Sequence, residues 1–462
     1  MPQRSLLAAL ALAGPLACAA PEPPRELVLL VSVDTLRADR LGSYGSELGL
    51  TPRLDALAAE SVLFEAAYAP ASLTLPSLAA LHFGRYPQQL GVLSNASQLL
   101  PLPSLASELG ARGFATAAVV SNVVLRAGSG IDRGFDRYDA ELAEEEAVRK
   151  WPERIAPETT RAALRALDGI LATPAPQIFL WVHYQDPHGP YTPPAELRER
   201  YLEVERRAPD GGHALPLQPS DGQLGALPAY QALGDEREVA FYRAGYDGEV
   251  RFTDVAIGDL LDGVAERGLL EQALLVFTAD HGESLGEGDY WFAHGAQLSD
   301  PLVRVPLLVR GPGLAPERRP DVVSLVDLYP TLIARAGRGR VPPSYPGRDL
   351  FAPDARRIPS TAYFAALGGS RVPRIGIARN DYKYLAVRGH AGWQGALYRR
   401  SASGLEEPVS AAALEDAMSR GLAETLERLG RFPAETRREL GPAELARLEA
   451  LGYGALEAPA PP

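Results

Sequence analysis

What most constrains this chain is the alternation of two patterns along it. Residues 27–33, 115–120, 178–182 and 274–277 are short apolar runs rich in β-branched or aromatic side chains. Such runs form strands buried on both faces of a largely parallel sheet. Between them lie stretches with apolar residues at helical spacing, at 104–111, 158–171 and 249–267. In the last, Val250, Ile257, Leu260, Leu261 and Val264 make one stripe, and Gly268 ends it. The alternation predicts an α/β sandwich. At 462 residues the chain exceeds what one core usually fills, so a large domain and a smaller one are expected.

Other stretches break the alternation. Residues 205–235 are rich in Gly, Pro and polar side chains and read as a surface insertion. Beyond Gly347 the pattern weakens. Residues 360–367, 372–378 and 382–387 are expected to form a small antiparallel sheet, 411–452 to be mostly helical, and 456–462 to be a disordered tail.

The chain opens MPQRSLLAALALAGPLAC, with one basic residue, Arg4, then an apolar run too short to span a bilayer, then the single cysteine, Cys18. Residues 1–18 read as an export signal and 19–26 as a Pro-rich linker. The ending resembles a bacterial lipoprotein site, where Cys18 is lipidated and becomes the mature N-terminus. Pro15 and Leu16 depart from the usual pattern before such a cysteine, which leaves cleavage elsewhere open. The expectation is an exported protein of the periplasm or cell envelope, touching the membrane only through that anchor. With Cys18 removed or acylated no disulfide is possible, so stability must come from packing and any bound metal. A net charge of −12 argues against nucleic acid as a partner.

Three short segments carry chemistry. Asp34, in VDTLRAD, directly follows the first apolar run, and Asp280-His281-Gly282-Glu283 follows the run at 274–277. Ligands of α/β sheets bind at the carboxyl ends of strands, and a carboxylate beside an imidazole suits a divalent cation. Ser72-Leu73-Thr74-Leu75-Pro76 leads into a helical pattern, placing Thr74 by a helix N-terminus that favours an anionic oxygen. Taken singly, each segment also fits a plainer role: a turn acid, a capping aspartate, a capping threonine.

Together the segments resemble the sulfatase family of the alkaline phosphatase superfamily. VDTLRADRLGSYG, TPRLDALAAE, GRYP, YDGEVRFTD, VFTADHGESLGE, RVPLLVRGPG, DLYPTLIARAG, ARNDYKYLA and ARLEALGY stand in the family's order. The resemblance implies an α/β/α sandwich around a large mixed, mostly parallel sheet at 27–346, and a smaller C-terminal α+β domain at 347–455. It implies one divalent metal ion (Ca, Mg, Mn or Zn) held by Asp34, Asp280, His281 and Thr74, with Thr74 at the nucleophile position. His188, in DPHGPY, matches the family's substrate-side loop, and His294 stands at or beside an expected lysine. These two are the remaining catalytic candidates, His188 to hold a substrate oxygen and His294 to protonate the leaving group, although either can be merely structural.

The sequence also departs from the family. Thr74 replaces the cysteine or serine that is converted to formylglycine, and threonine cannot give that aldehyde. Thr35 stands for a second acid, Leu78 for an arginine, and Asn122 and Val124 for a Lys-x-His pair. The pattern is similar to single-metal phospho-group transferases of the same superfamily, which use a threonine nucleophile. The leading expectation is a hydrolase of sulfate or phosphate esters acting on a small-molecule, glycan or lipid ester. A phospho-group transferase acting on envelope lipid or glycan, and a non-catalytic binding homologue, stay open. His183 and His82 are expected to pack, His213 and His390 to lie in loops, and Arg37 and Asp39 are ambiguous.

Overall fold

The computed structural model describes residues 25–142, 152–218 and 224–337, and, with short gaps (338, 340–341, 343, 354, 356–360, 367–371, 391 and 401–405), the chain to 430. The leader with Cys18, most of the linker, the tail and ARLEALGY fall outside the described residues.

The apolar runs supply the central strands of one sheet of nine strands. In chain order these are β1 (Glu26–Val33), β2 (Val62–Tyr68), β3 (Ala115–Val120), β4 (Arg137–Asp139), β5 (Gln177–Tyr184), β6 (Leu274–Ala279), β7 (Arg304–Val305), β8 (Leu307–Arg310) and β9 (Glu317–Ser324). Their order is β7-β2-β8-β6-β1-β5-β3-β4, with β9 also on β2. The central strands are parallel: β1 lies between β5 and β6, and β3 follows beyond β5. β8 runs antiparallel to both β2 and β6, which makes the sheet mixed. Leu29, Leu30, Val119, Phe179, Leu180, Val276 and Phe277 are buried in one continuous core, so the strands need no polar face. The parallel arrangement brings the carboxyl ends of β1, β3, β5 and β6 to one edge.

Two elements differ from the sequence reading. The helix expected at 249–267 runs from Val239 to Glu266. Its first ten residues, VAFYRAGYDG, are mostly buried, so no amphipathic stripe marks them. Gly248 sits there because a Cβ would come within 2.8 Å of Pro193, on the loop after β5. The segment at 205–235 is more than a surface insertion. Gln231 is buried, and both its Nε2 and the Tyr230 hydroxyl donate to the carbonyl of Phe292, at 3.1 Å each. The segment therefore braces the loop that carries His294.

The small antiparallel sheet beyond residue 347 has five strands where three were expected: Ala362–Ala366, Arg374–Arg379, Tyr382–Gly389, Gly392–Arg400 and Glu406–Pro408. The fourth carries two glycines and is buried only at Leu397, and the last is the three-residue EEP, so neither shows an alternation to betray it. Helix Ala412–Leu429 covers this sheet through Met418 and Leu422. Lys383, one of only two lysines in the chain, links the sheet to the large domain. It is buried, lies 3.0 Å from Asp300 and also pairs with Glu406. Truncating one member of a buried ion pair leaves uncompensated charge, so Lys383→Ala is expected to cost about 3–5 kcal/mol. Denaturant unfolding measures this; a loss no larger than that of an exposed pair contradicts it.

Candidate metal centre and active site

Each element delivers its side chain for a local reason. Asp34 is the first residue past β1, and its backbone N–H still bonds the Tyr184 carbonyl at 2.9 Å, so the sheet ladder fixes where its side chain starts. Thr35 then turns sharply. Its φ is +53°, a left-handed conformation that a β-branched residue adopts only under strain. That turn is pinned from both sides: the Thr35 N–H donates to Asp280 Oδ1 at 3.2 Å, and its carbonyl accepts from the Tyr246 hydroxyl at 2.8 Å. Asp280 follows β6, and its own N–H bonds the Val33 carbonyl at 3.2 Å. Thr74 opens helix Thr74–Phe83. No side chain at the N-cap serves this helix; instead Asn95 Oδ1 accepts from the Leu75 N–H at 3.0 Å. Pro76 lies in the first turn, where a missing N–H is harmless.

The structure brings Asp34, Thr74, Asp280 and His281 together, all buried. Ligand atoms of Asp34, Asp280 and His281 all lie within 4.8 Å of one another. Thr74 Oγ1 is 3.4 Å from His281 Nε2. His281 Nδ1 lies 2.8 Å from the Gly282 carbonyl, which can only accept, so Nδ1 carries the proton and Nε2 offers its lone pair to the cluster. Burial, aided by repulsion from His294, pushes His281 down to about 3, which keeps it neutral. Asp34 Oδ1 and Asp280 Oδ2 are buried without a hydrogen-bond partner. Burial and the facing Asp34 charge push Asp280 well above the usual carboxylate range. Burial works against the charge on Asp34 too, but the His183 hydrogen bond and the nearby imidazoles hold it below that range. Two orphaned carboxylate oxygens and a lone pair converging on one buried point fit a divalent cation.

His188 and His294, the two catalytic candidates of the sequence, lie beside this cluster. The His294 ring is 4.6 Å from that of His281 and 5.1 Å from that of His188. His188 Nδ1 bonds the Gly189 carbonyl at 2.8 Å. His294 Nδ1 bonds Glu283 Oε1 at 3.2 Å, and the Tyr191 hydroxyl donates to Glu283 Oε2 at 3.1 Å. Burial pushes His294 down to about 4 and Glu283 up to about 7.

Other residues resolve differently. Ser77, the nearest alternative hydroxyl, donates to the Asp280 carbonyl at 2.6 Å and so helps hold a carboxylate-bearing turn. Arg37 and Asp39 pair with each other at 2.6 Å, and Arg37 also meets Glu287 at 2.8 Å. Leu78 is buried in the core. His82 packs on Trp181, with ring centroids 4.2 Å apart, as expected. His183 lies on β5 and is buried, also as expected, but its Nε2 approaches Asp34 Oδ2 at 3.5 Å. Asn122, conspicuous in the sequence only as a missing lysine, donates from Nδ2 to the same oxygen. Glu283 and Tyr191 lie in the segments DHGE and DPHGPY, but neither has a role of its own in the sequence reading. The one available signal was that Glu283 directly follows the Asp-His-Gly turn.

Comparison with known proteins places this geometry. The sulfatase family model matches residues 26–338. Choline-sulfatase of Rhizobium meliloti (strain 1021) is 27% identical over 349 residues, covering 67% of this chain and 67% of that protein. Iduronate 2-sulfatase of Mus musculus is 27% identical over 396 residues, covering 69% of this chain and 70% of that protein. Among solved structures, phosphonate monoester hydrolase from Silicibacter pomeroyi superposes with a TM-score of 0.68 at 20% identity, over 88% of this chain and 96% of that one. A protein in complex with its substrate D-glucosamine-2-N,6-O-disulfate gives 0.69 at 18% identity, over 88% and 98%. The two structures speak for the fold, and the match at 26–338, well over half the chain, speaks for descent. The chain belongs to the sulfatase family of the alkaline phosphatase superfamily and is an ester hydrolase.

Proposed function

We propose that this protein hydrolyses sulfate or phosphate esters with Thr74 as nucleophile beside one divalent metal ion. The observation that carries the reading is the convergence of Asp34, Asp280 and His281 on a point next to Thr74 Oγ1, with two carboxylate oxygens left unpartnered. A bound divalent cation supplies Lewis acidity, polarising the ester and lowering the pKa of the hydroxyl beside it. With a cation bound, the Thr74 hydroxyl would give its proton up to water; Oγ1 then attacks sulfur or phosphorus, the bond to the leaving oxygen breaks, and a water molecule later releases the group and returns a proton to Thr74 Oγ1. The helix N-terminus at Thr74 favours the oxyanion.

The leaving oxygen needs a proton, and His294 supplies it. Alone, a histidine pushed down to about 4 holds none at neutral pH, but Glu283, pushed up to about 7, shares one with it through the 3.2 Å contact. His188 steadies a substrate oxygen. His294→Ala is expected to slow esters of poorly acidic alcohols by roughly 10²–10⁴-fold and to affect aryl esters with acidic leaving groups far less. Rates across a series of leaving groups measure this, and an equal loss for all of them contradicts the role.

Among the described residues no lysine reaches the site, since Lys383 is held by Asp300 and Glu406. Metal analysis of purified protein, with turnover of aryl sulfate, phosphate monoester and phosphodiester, tests the reading. Metal without turnover favours the binding homologue, and turnover only with an added acceptor alcohol favours the transferase. Export and lipidation at Cys18 rest on the leader sequence alone.

A further inference from the structure

On the buried side of the metal cluster, Asn122 and His183 both face one oxygen of Asp34. Asn122 Oδ1 accepts the Val124 N–H at 2.9 Å, which fixes the amide and turns Nδ2 toward Asp34 Oδ2. Behind His183 runs a chain with a direction. The Trp181 indole can only donate, and it donates to Ser32 Oγ at 2.9 Å. Ser32 Oγ lies 2.9 Å from His183 Nδ1. The serine oxygen accepts from the indole and keeps its own O–H, which can donate to Nδ1. The imidazole proton then sits on Nε2, facing Asp34 Oδ2 at 3.5 Å. Trp181, Ser32, His183 and Asn122 are all buried, so water does not compete for these bonds.

Asn122 hydrogen-bonds Oδ2 and His183 Nε2 faces the same oxygen at 3.5 Å, the long limit of a hydrogen bond, while Oδ1 is left without a hydrogen-bond partner. We propose that Asn122 and His183 are positioning residues that hold Asp34 as a one-oxygen metal ligand; this rests on the metal reading above. The Asn122 amide brings no charge to this arrangement. A lysine at position 122 would partly neutralise Asp34, whereas an amide orients the carboxylate and leaves its full charge for the cation. Partners that orient metal ligands in this way are typically worth about 10–100-fold in metal affinity.

The test is the dissociation constant for calcium, magnesium, manganese or zinc, whichever the parent binds most tightly, by competition with a chelator. Asn122→Ser keeps an acceptor for the Val124 N–H but is too short to reach Asp34. His183→Phe keeps a ring and removes the donor, and His183→Gln restores an N–H. Asn122→Ser and His183→Phe should each weaken metal binding by about 10–100-fold, with His183→Gln recovering most of the loss. The metal-free proteins should melt close to the parent, which separates orientation from general destabilisation. If His183→Phe does not fold, Asn122→Ser decides alone. Parent affinity in Asn122→Ser and His183→Phe overturns the proposal. A parent that takes up no divalent metal overturns the metal reading first and this proposal with it.

Discussion

Thr74→Ala is expected to abolish turnover, by roughly 10⁴–10⁶-fold, while leaving metal content near that of the parent. The size follows from what the substitution removes. Without the Thr74 hydroxyl no covalent ester can form, and only the binding and electrostatic part of catalysis survives. Metal content is spared because Asp34, Asp280 and His281 still converge without Thr74. Thr74→Ser keeps the hydroxyl and should retain part of the activity. Steady-state kinetics with parallel metal analysis separates the outcomes. Parent-like turnover by Thr74→Ala means that water or another side chain attacks.

Removal of the metal is the second large effect. Chelation should stop turnover reversibly and also lower the melting temperature, for an electrostatic reason. Asp34 and Asp280 face each other in the buried cluster, each with an oxygen that no protein group satisfies. A cation that binds only the folded state at a hundredfold excess over its dissociation constant contributes about 2.7 kcal/mol. Calorimetry in chelator and in saturating metal measures the difference. A melting temperature and activity indifferent to chelator contradict a metal in this cluster.

How much of this was legible in the sequence depends on what kind of signal each residue leaves. Strands β1, β3, β5 and β6 announce themselves because burial on both faces demands uninterrupted apolar runs. Strand β4, RYD, and the outer strands of the small sheet leave no such signature, since their pairing is decided by distant neighbours. Asp34, Asp280 and His281 stand out as polar residues at the ends of apolar runs. His183 does not: it sits within the strand and reads as packing, and only the register of β5 beside β1 brings it to Asp34. Asn122 reads as a loss until β3 is placed beside β5. The long helix Val239–Glu266 was half visible, because its buried first turns have no polar face to mark a period.

The central claim is that Thr74 becomes covalently attached to the substrate's sulfur or phosphorus. Rapid acid quenching during turnover, followed by proteolysis and peptide mass spectrometry, tests it most directly. The expected result is one peptide heavier by a single sulfuryl or phosphoryl group, with fragmentation placing the group on Thr74 and no such peptide from Thr74→Ala. A group on another residue, or none during sustained turnover of a substrate whose second step is slow, contradicts the account.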